Sequence, residues 1–296
     1  MQYISVQISL VALLPTLLLC WYIYEKDRVE KEPKGLLSLL FLVGGVGFIP
    51  AYFAERGIAG LIDGWFASRL SFSAEGALLF DNAGVAFAHT ALFAFCGVAL
   101  VENSIKWLLL VLITRKSRHF NCLFDGLIYA SFVSLGFAAF ESVAYAWQNG
   151  WDTLWLRLAT AIPCHLLIGV LMGYGYTLWH TFDSAQKAER RLVQDGTVSA
   201  ANIRGAGGFL TAGFVVPLFT QGLYVTVGSF YSTLVSTLFY VAVGILFVLC
   251  FVGIHLLSDK DNPTEKTSLI LLLRKHPDTD ITLLREAINA EVSYGK

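Results

Sequence analysis

Residues 231–257 read YSTLVSTLFYVAVGILFVLCFVGIHLL, a run without a single Asp, Glu, Lys or Arg. A helix needs about 20 mostly apolar residues to cross the hydrocarbon core of a bilayer. The run is long enough, and it predicts a transmembrane helix. The rest of the chain has the same character: 56% of its 296 residues are hydrophobic, and the mean hydropathy is +0.63. Soluble globular chains are less apolar than this.

Six further stretches satisfy the same length and composition, which brings the predicted number of spans to seven. They lie at 3–24, 36–54, 83–113, 124–147, 158–181 and 207–227. The sequence therefore predicts an all-α fold, a polytopic bundle of transmembrane helices. Residues 1–257 form one membrane-embedded domain in this prediction, followed by a short cytosolic tail at 258–296.

The distribution of basic residues predicts the orientation of the bundle. Alternate connections hold 17 Lys and Arg residues, against three in the opposite ones. Because Lys and Arg concentrate in cytoplasmic loops, we expect the N-terminus outside and the C-terminus in the cytoplasm, in a bacterial inner membrane. The basic connections are 25–35, 114–123, 182–206 and the tail; the three opposing residues are Arg56, Arg69 and Arg157.

Several classes of site receive no support from the composition. The net charge is −1, so the chain has no basic excess for nucleic acid, and the lipid bilayer is the expected partner. The five cysteines occur singly without a C-x-x-C pair, and we interpret them as small packing residues. The outer connection at 55–82 mixes aromatic and polar residues and is predicted to lie at the membrane interface.

Ionisable residues inside spans are the strongest indication of a functional site, because they are unfavourable in hydrocarbon. Three spans contain them: Glu102 with Lys106, then Glu141, then His165. With a rise of about 1.5 Å per residue, Glu102 lies roughly 17 Å from the cytoplasmic end of its span. The other two, with Gln221, lie roughly 22 to 24 Å deep. These four spans are therefore predicted to place polar groups together in the outer half of the bilayer.

The spacing within spans adds detail to this site. Glu102 and Lys106 are i, i+4 neighbours, so the ammonium can neutralise the carboxylate. Phe137 lies on the same face as Glu141 by the same spacing. Gly169 and Gly173 follow His165 in a stripe that allows another helix to approach closely.

Structural interpretations stand beside the functional ones. Glu102 and Lys106 could form a buried ion pair that joins two helices. His165 could be a hydrogen-bonded packing residue. Asp125 follows a basic loop at the start of a span, where a structural role as the helix N-cap is the simpler prediction.

Three motifs in residues 98–226 resemble those of the PrsW family of glutamic intramembrane proteases, which is related to the CAAX-processing and bacteriocin-immunity membrane proteases. The family's E-E-x-x-K is similar to Glu102-Asn103-Ser104-Ile105-Lys106. Its D-G…G-F-x-x-x-E is similar to Asp125-Gly126 through Gly136-Phe137 to Glu141, and its P-x-H-x-x-x-G-x-x-x-G to Pro163 through Gly173. Two positions depart from the pattern: Asn103 replaces a second Glu, and Gln221-Gly222 stands where the family usually has His-Gly.

The resemblance implies peptide hydrolysis. Glu102 would act as general base toward a water, Glu141 would hold that water or share its proton, and His165 would donate to the oxyanion. Lys106 would orient the catalytic carboxylate, and the amide of Gln221 could donate in place of an imidazole. Substrates would be single-span membrane proteins or peptides, and in the family this looks like cleavage of an anti-sigma factor in envelope-stress signalling.

Three alternatives remain open. Two carboxylates and a histidine also suit Zn²⁺, although the charge of Lys106 favours a site without a cofactor. The departures at Asn103 and Gln221 would fit a catalytically lapsed relative that binds a membrane partner. A proton-coupled transporter could use the same ionisable groups, but the sequence lacks two related halves with paired interrupted spans.

Overall fold

The computed structural model describes residues 2–72, 78–203, 205–230 and 233–294. Positions 231 and 232, which begin the seventh predicted span, and 73–77 of the outer connection lie outside the described residues. The helices are α1 Gln2–Lys26, α2 Lys34–Phe66, α3 Ala83–Leu92, α4 Leu100–Thr114, α5 Asp125–Asn149, α6 Trp151–Ala159, α7 Ala161–Gln194, α8 Gly207–Gly228, α9 Thr233–Asp259, α10 Thr264–Lys275 and α11 Ile281–Tyr294. A short antiparallel hairpin joins β1 Leu70–Phe72 to β2 Leu78–Phe80.

Seven helical segments of the described chain are long and apolar enough to cross a membrane, which confirms the predicted helical bundle and its number of spans. Their apolar side chains face outward on most spans. The span Trp151–Gln194 is an exception, with 61% of its most apolar window buried inside the protein, and helix α5 is the most enclosed, with 83%. It is the central helix, and it packs against α1, α2, α4 and α7.

Small residues explain how α5 can be surrounded so closely. A Cβ added at Gly169 of α7 would lie 2.8 Å from the Cα of Ser131, and one at Gly173 would lie 2.5 Å from the carbonyl oxygen of Gly126. Contacts this short leave no room for a side chain, so the two backbones touch. The glycine stripe predicted on α7 therefore receives α5, which carries its own functional candidate, Glu141.

The structure differs from the predicted spans in three places. Helix α2 continues beyond residue 54 to Phe66, so the first part of the predicted interfacial connection 55–82 is helical. Helix α7 continues beyond residue 181 to Gln194, where Ala185 and Ala188 are fully buried against the C-terminal helices. The third span is interrupted by a π-helix at Phe93–Ala99, between α3 and α4.

The segment after residue 258 packs against the bundle. The structure has two helices in this segment, α10 and α11. Leu272 of α10 and Ile288 of α11 are buried in a second apolar cluster with the end of α7. The cluster encloses Glu189, whose carboxylate contacts His276 Nε2 at 2.6 Å and accepts hydrogen bonds from two backbone amides.

Asp125 does not cap its helix as the sequence predicted. The N-cap position of α5 is Phe124, and Oδ2 of Asp125 accepts from the backbone amides of Asn121 and Cys122, which precede the helix. The carboxylate therefore stabilises the incoming turn. The residue keeps a structural contact, with a different partner from the one predicted.

Candidate active site

Four helices bring the predicted polar residues into one buried cluster. Glu102 and Lys106 come from α4, Glu141 from α5, His165 from α7 and Gln221 from α8. Each has less than a tenth of its surface exposed, and hydrogen bonds connect all five. The sequence predicted that these residues lie close together because they have similar depths within their spans, and the structure shows them in contact.

Lys106 is the centre of the cluster. Its Nζ donates to Oε2 of Glu102 at 2.7 Å and lies 3.0 Å from Nδ1 of His165. The ammonium also sits 4.2 Å from the ring centroid of Phe137, a cation–π contact that compensates part of its lost hydration. Because an ammonium only donates, Nδ1 of His165 is the acceptor in this contact when Lys106 is charged.

The opposite nitrogen of His165 faces Glu141. The distance from Nε2 to Oε2 of Glu141 is 3.0 Å, and Arg157 of α6 brings its guanidinium to 2.7 Å from the same oxygen. Glu141 thus joins an imidazole to an arginine. The Nε of Arg157 donates to Ser142 Oγ at 3.2 Å, which fixes the guanidinium to α5.

Sequence reasoning missed Arg157. It appeared only as one of three basic residues in the outer connections, because it follows a polar turn after the fourth span. A signal was nevertheless present: Trp151–Ala159 is amphipathic, and Arg157 is its one basic residue. A short amphipathic helix beside a span that contains a buried acid is where a counter-ion can be found.

The two departures from the family motifs contact each other. Asn103 Nδ2 donates to Oε1 of Gln221 at 2.7 Å and to the carbonyl of Ala99 at 2.8 Å. Gln221 in turn donates through Nε2 to Oε2 of Glu102 at 2.8 Å. Asn103 therefore orients Gln221, and Gln221 orients Glu102.

The backbone around the cluster is irregular on one side and closely packed on the other. The π-helix Phe93–Ala99 ends three residues before Glu102, and π-helical turns are frequent at functional sites. Its Phe95 lies against Gly222 on α8, where a Cβ would come within 2.5 Å of the ring. On the other side, Ser134 Oγ donates to the backbone carbonyl of His165 at 2.6 Å and holds the start of α7 against α5.

Three of these groups have the donor chemistry of a metal site. One ligand atom from each of Glu102, Glu141 and His165 lies within 4.8 Å of the others, and all three residues are buried. Among the described residues, this is the one such group of His, Cys, Asp and Glu. Lys106 contacts two of its three members.

A sequence model described as "PrsW family intramembrane metalloprotease" matches residues 32–254. Among curated proteins, the chain is 31% identical to Protease PrsW of Oceanobacillus iheyensis over 162 residues, which is 54% of this chain and 63% of that protein. It is 28% identical to Protease PrsW of Geobacillus kaustophilus over 71% of this chain and 74% of the relative. The match to Protease PrsW of Bacillus subtilis is 27% identical and covers 66% and 78%.

No solved structure matches the chain. The family match covers more than half of the sequence and includes all four helices that form the buried cluster. The chain is thus a multi-pass membrane protein that belongs to the PrsW family of intramembrane proteases.

Proposed function

We propose that this chain is an intramembrane endopeptidase in which Glu102 activates a water for attack on a peptide carbonyl. The observation that supports this most strongly is the asymmetric environment of its carboxylate. Lys106 and Gln221 both donate to Oε2. The other oxygen, Oε1, accepts no hydrogen bond from the described part of the chain and can accept one from a water.

The chemistry then follows from general acid–base catalysis. Glu102 takes a proton from the water through Oε1 as the oxygen of that water attacks the carbonyl carbon, and it returns the proton to the leaving amine. Two donors on Oε2 hold the carboxylate in one orientation during both transfers. Positioning of this kind is needed because a general base must lie within hydrogen-bond reach of the proton that it removes.

The negative charge that develops on the carbonyl oxygen has two candidate partners. Lys106 is a buried cation at the centre of the cluster, and Gln221 carries an amide donor beside it. Donors in a site without bulk water stabilise an oxyanion far more than exposed donors do. His165 is held by Glu141, so in this proposal it orients Lys106 and supplies a donor when the substrate displaces that contact.

The proposal does not include a metal ion, although the description of the family does. The arrangement of this chain does not fit one, because each of the three candidate ligand residues already contacts a protein cation. Nδ1 of His165 and Oε2 of Glu102 face Nζ of Lys106, and Oε2 of Glu141 faces both Arg157 and Nε2 of His165. A divalent ion at this point would lie beside a fixed ammonium, which is electrostatically unfavourable.

The substrate class follows from the position of the cluster within the membrane spans. A single-span membrane protein or peptide can reach it by sideways movement in the bilayer of a bacterial inner membrane, and an anti-sigma factor is the specific substrate we propose. The competing proposal is that this chain has lost catalytic activity, since Asn103 and Gln221 depart from the family motifs. In that case the same cluster would bind a membrane partner without cleaving it.

The test compares cleavage of candidate single-span substrates in liposomes by the wild type, Glu102→Gln and the control Glu25→Gln, which alters an exposed carboxylate. Thermal unfolding of all three first establishes that they fold alike. Cleavage by the wild type and the control but not by Glu102→Gln supports the proposal. Equal cleavage by all three would contradict it, and co-purification of an intact substrate without cleavage would favour the lapsed enzyme.

A further inference from the structure

A buried carboxylate beside the catalytic cluster takes no part in the mechanism proposed above. Glu55 of α2 is only 9% exposed. Within the described chain, no hydrogen bond or ion pair connects its side chain to another residue. A carboxylate that is nine-tenths buried is unfavourable until a partner compensates it. The charges that act on it belong to the catalytic cluster: Glu102, Glu141, Lys106 and Arg157.

Two contacts between α2 and α5 show how these helices are aligned. A Cβ added at Gly44 of α2 would meet the backbone carbonyl of Val133 on α5. Four residues later in both helices, the ring of Phe48 lies edge-on to that of Phe137, with 5.9 Å between the centroids. The two helices therefore run side by side in the same direction.

This alignment gives the position of Glu55 relative to the catalytic residues. Glu55 follows Phe48 by two helical turns and therefore points to the same side of α2. An equal step along α5 leads past Glu141 to residue 144, about 4.5 Å farther on. Glu55 thus lies beyond Glu141, toward the C-terminal end of α5. In the predicted orientation this is the outer end of the site.

The charges of the cluster do not balance once Glu55 is included. Lys106 Nζ lies 2.7 Å from the carboxylate of Glu102. The guanidinium of Arg157 lies at the same distance from Glu141. The imidazole of the cluster is neutral when its Nδ1 accepts from the ammonium. Three carboxylates therefore face two cations, and Glu55 is the carboxylate without a cation of its own.

The basic residue next to Glu55 in the sequence does not supply the missing charge. Arg56 donates to the hydroxyl of Tyr52, one turn earlier in α2, and its guanidinium lies 5.2 Å from the centroid of that ring. Arg56 is exposed, on a different side of the helix from the buried carboxylate. A compensating cation therefore has to come from a ligand.

Glu55 remains open to a ligand that enters the site. Although most of the residue is buried, its two oxygens are not completely enclosed. A proton alone is a poor partner, because the O–H of a protonated carboxyl needs an acceptor and no described residue accepts from Glu55. A long basic side chain can bury its apolar stem and bring its charged end to such a carboxylate. The complementary ligand is a Lys or Arg of the substrate.

We propose that Glu55 is a specificity-determining residue that pairs with a basic side chain of the substrate, which rests on the proposed endopeptidase function. The basic residue lies close to the scissile bond, on the side that faces the C-terminal end of α5. Ionisable residues are rare inside membrane spans. A requirement for one at this depth therefore restricts the substrates to a small class of single-span proteins.

Matched single-span substrates in liposomes test the pairing, with Lys or Gln placed at successive positions on that side of the scissile bond. At the best position the wild type cleaves the Lys substrate with a kcat/KM about 10- to 100-fold higher, the range for a hydrogen bond to a charged group. Glu55→Gln, which keeps the shape of the side chain, cleaves both substrates alike. The exposed control Glu25→Gln keeps the preference, and thermal unfolding first shows that all three proteins fold alike.

Two results of this comparison overturn the role of Glu55. One is equal cleavage of the Lys and Gln substrates by the wild type at every position, which would show that a proton neutralises the carboxylate. The other is a preference for Lys that survives in Glu55→Gln. In both cases the substrates are still cleaved, so the proposed endopeptidase function stands.

Displacement of a fluorescent single-span peptide in detergent separates the role of Glu55 from catalysis. The Lys span displaces the peptide from the wild type at a concentration about 10-fold lower than the Gln span, and from Glu55→Gln at the same concentration. If this difference is found but the wild type cleaves neither span, the chain is a lapsed enzyme in which Glu55 still selects the partner. Equal displacement from the wild type overturns the role of Glu55, whether or not the spans are cleaved.

Discussion

Asn103 and Gln221 are hydrogen-bonded at 2.7 Å, although 118 positions separate them in the chain. Both replace residues that the family motifs would have, and both lie next to Glu102. Each departure viewed alone suggests damage to the site. Their contact instead lets two amides orient a carboxylate together without adding a titratable group.

The amide pair leads to a first prediction. Gln221→Leu removes the donor on Oε2 of Glu102 and leaves Asn103 without its partner, so cleavage falls about 10- to 100-fold, the range for one hydrogen bond to a charged group. Initial rates at saturating substrate measure this. Leu223→Ala, on the exposed side of α8, is the control and cleaves normally. If Gln221→Leu cleaves at the rate of the wild type, Gln221 does not contribute to catalysis.

Arg157 gives a second prediction. Its guanidinium lies 2.7 Å from Glu141, so Arg157→Gln leaves a buried carboxylate with the imidazole of His165 as its remaining partner. We expect cleavage to fall at least 10-fold and its pH dependence to change, because the charge beside His165 is altered. Arg157→Lys, which retains the charge, recovers part of the rate. A uniform loss in both variants with an unchanged pH profile would show a structural role only.

Metal dependence is a third prediction. Because Lys106 contacts two of the three candidate ligands, cleavage by the purified protein is unaffected by 1,10-phenanthroline, which removes transition metals. The measurement is the initial rate before and after incubation with the chelator. A loss of activity that Zn²⁺ restores would contradict the metal-free mechanism and favour the three-ligand set.

The buried carboxylates of Asp27 and Glu32, between α1 and α2, yield a fourth prediction, about pH. Burial raises the pKa of Glu32 to about 7 and that of Asp27 to about 6. A raised carboxyl pKa favours the protonated folded state, so this contribution to stability is complete below the unfolded pKa of about 4 and is lost as the pH rises to about 7. Without divalent ions, Tm therefore falls over this range more steeply in the wild type than in Glu32→Gln. Parallel curves would show that Glu32 does not titrate there.

Much of the bundle could be predicted, because lipid imposes a simple length and composition on each span. The depth of each polar residue within its span also predicted that four side chains would lie close together. They are those of Glu102, Glu141, His165 and Gln221. The helix extension to Phe66 escaped prediction because Glu55 and Arg56 resemble the start of a loop, yet Glu55 is buried in the structure. Contacts between remote segments, such as Asp261 with Phe124 N at 2.9 Å, leave no local pattern and could not be predicted.

The most direct test of the account is single-turnover cleavage of one defined single-span substrate in liposomes by wild-type protein and by Glu102→Gln, at equal folded concentration. If Glu102 activates the water, the wild type cleaves and the rate of the variant falls at least 100-fold, since general acid–base catalysis contributes about that much or more. Cleavage by Glu102→Gln at the rate of the wild type would contradict the account, because a neutral amide cannot take the proton.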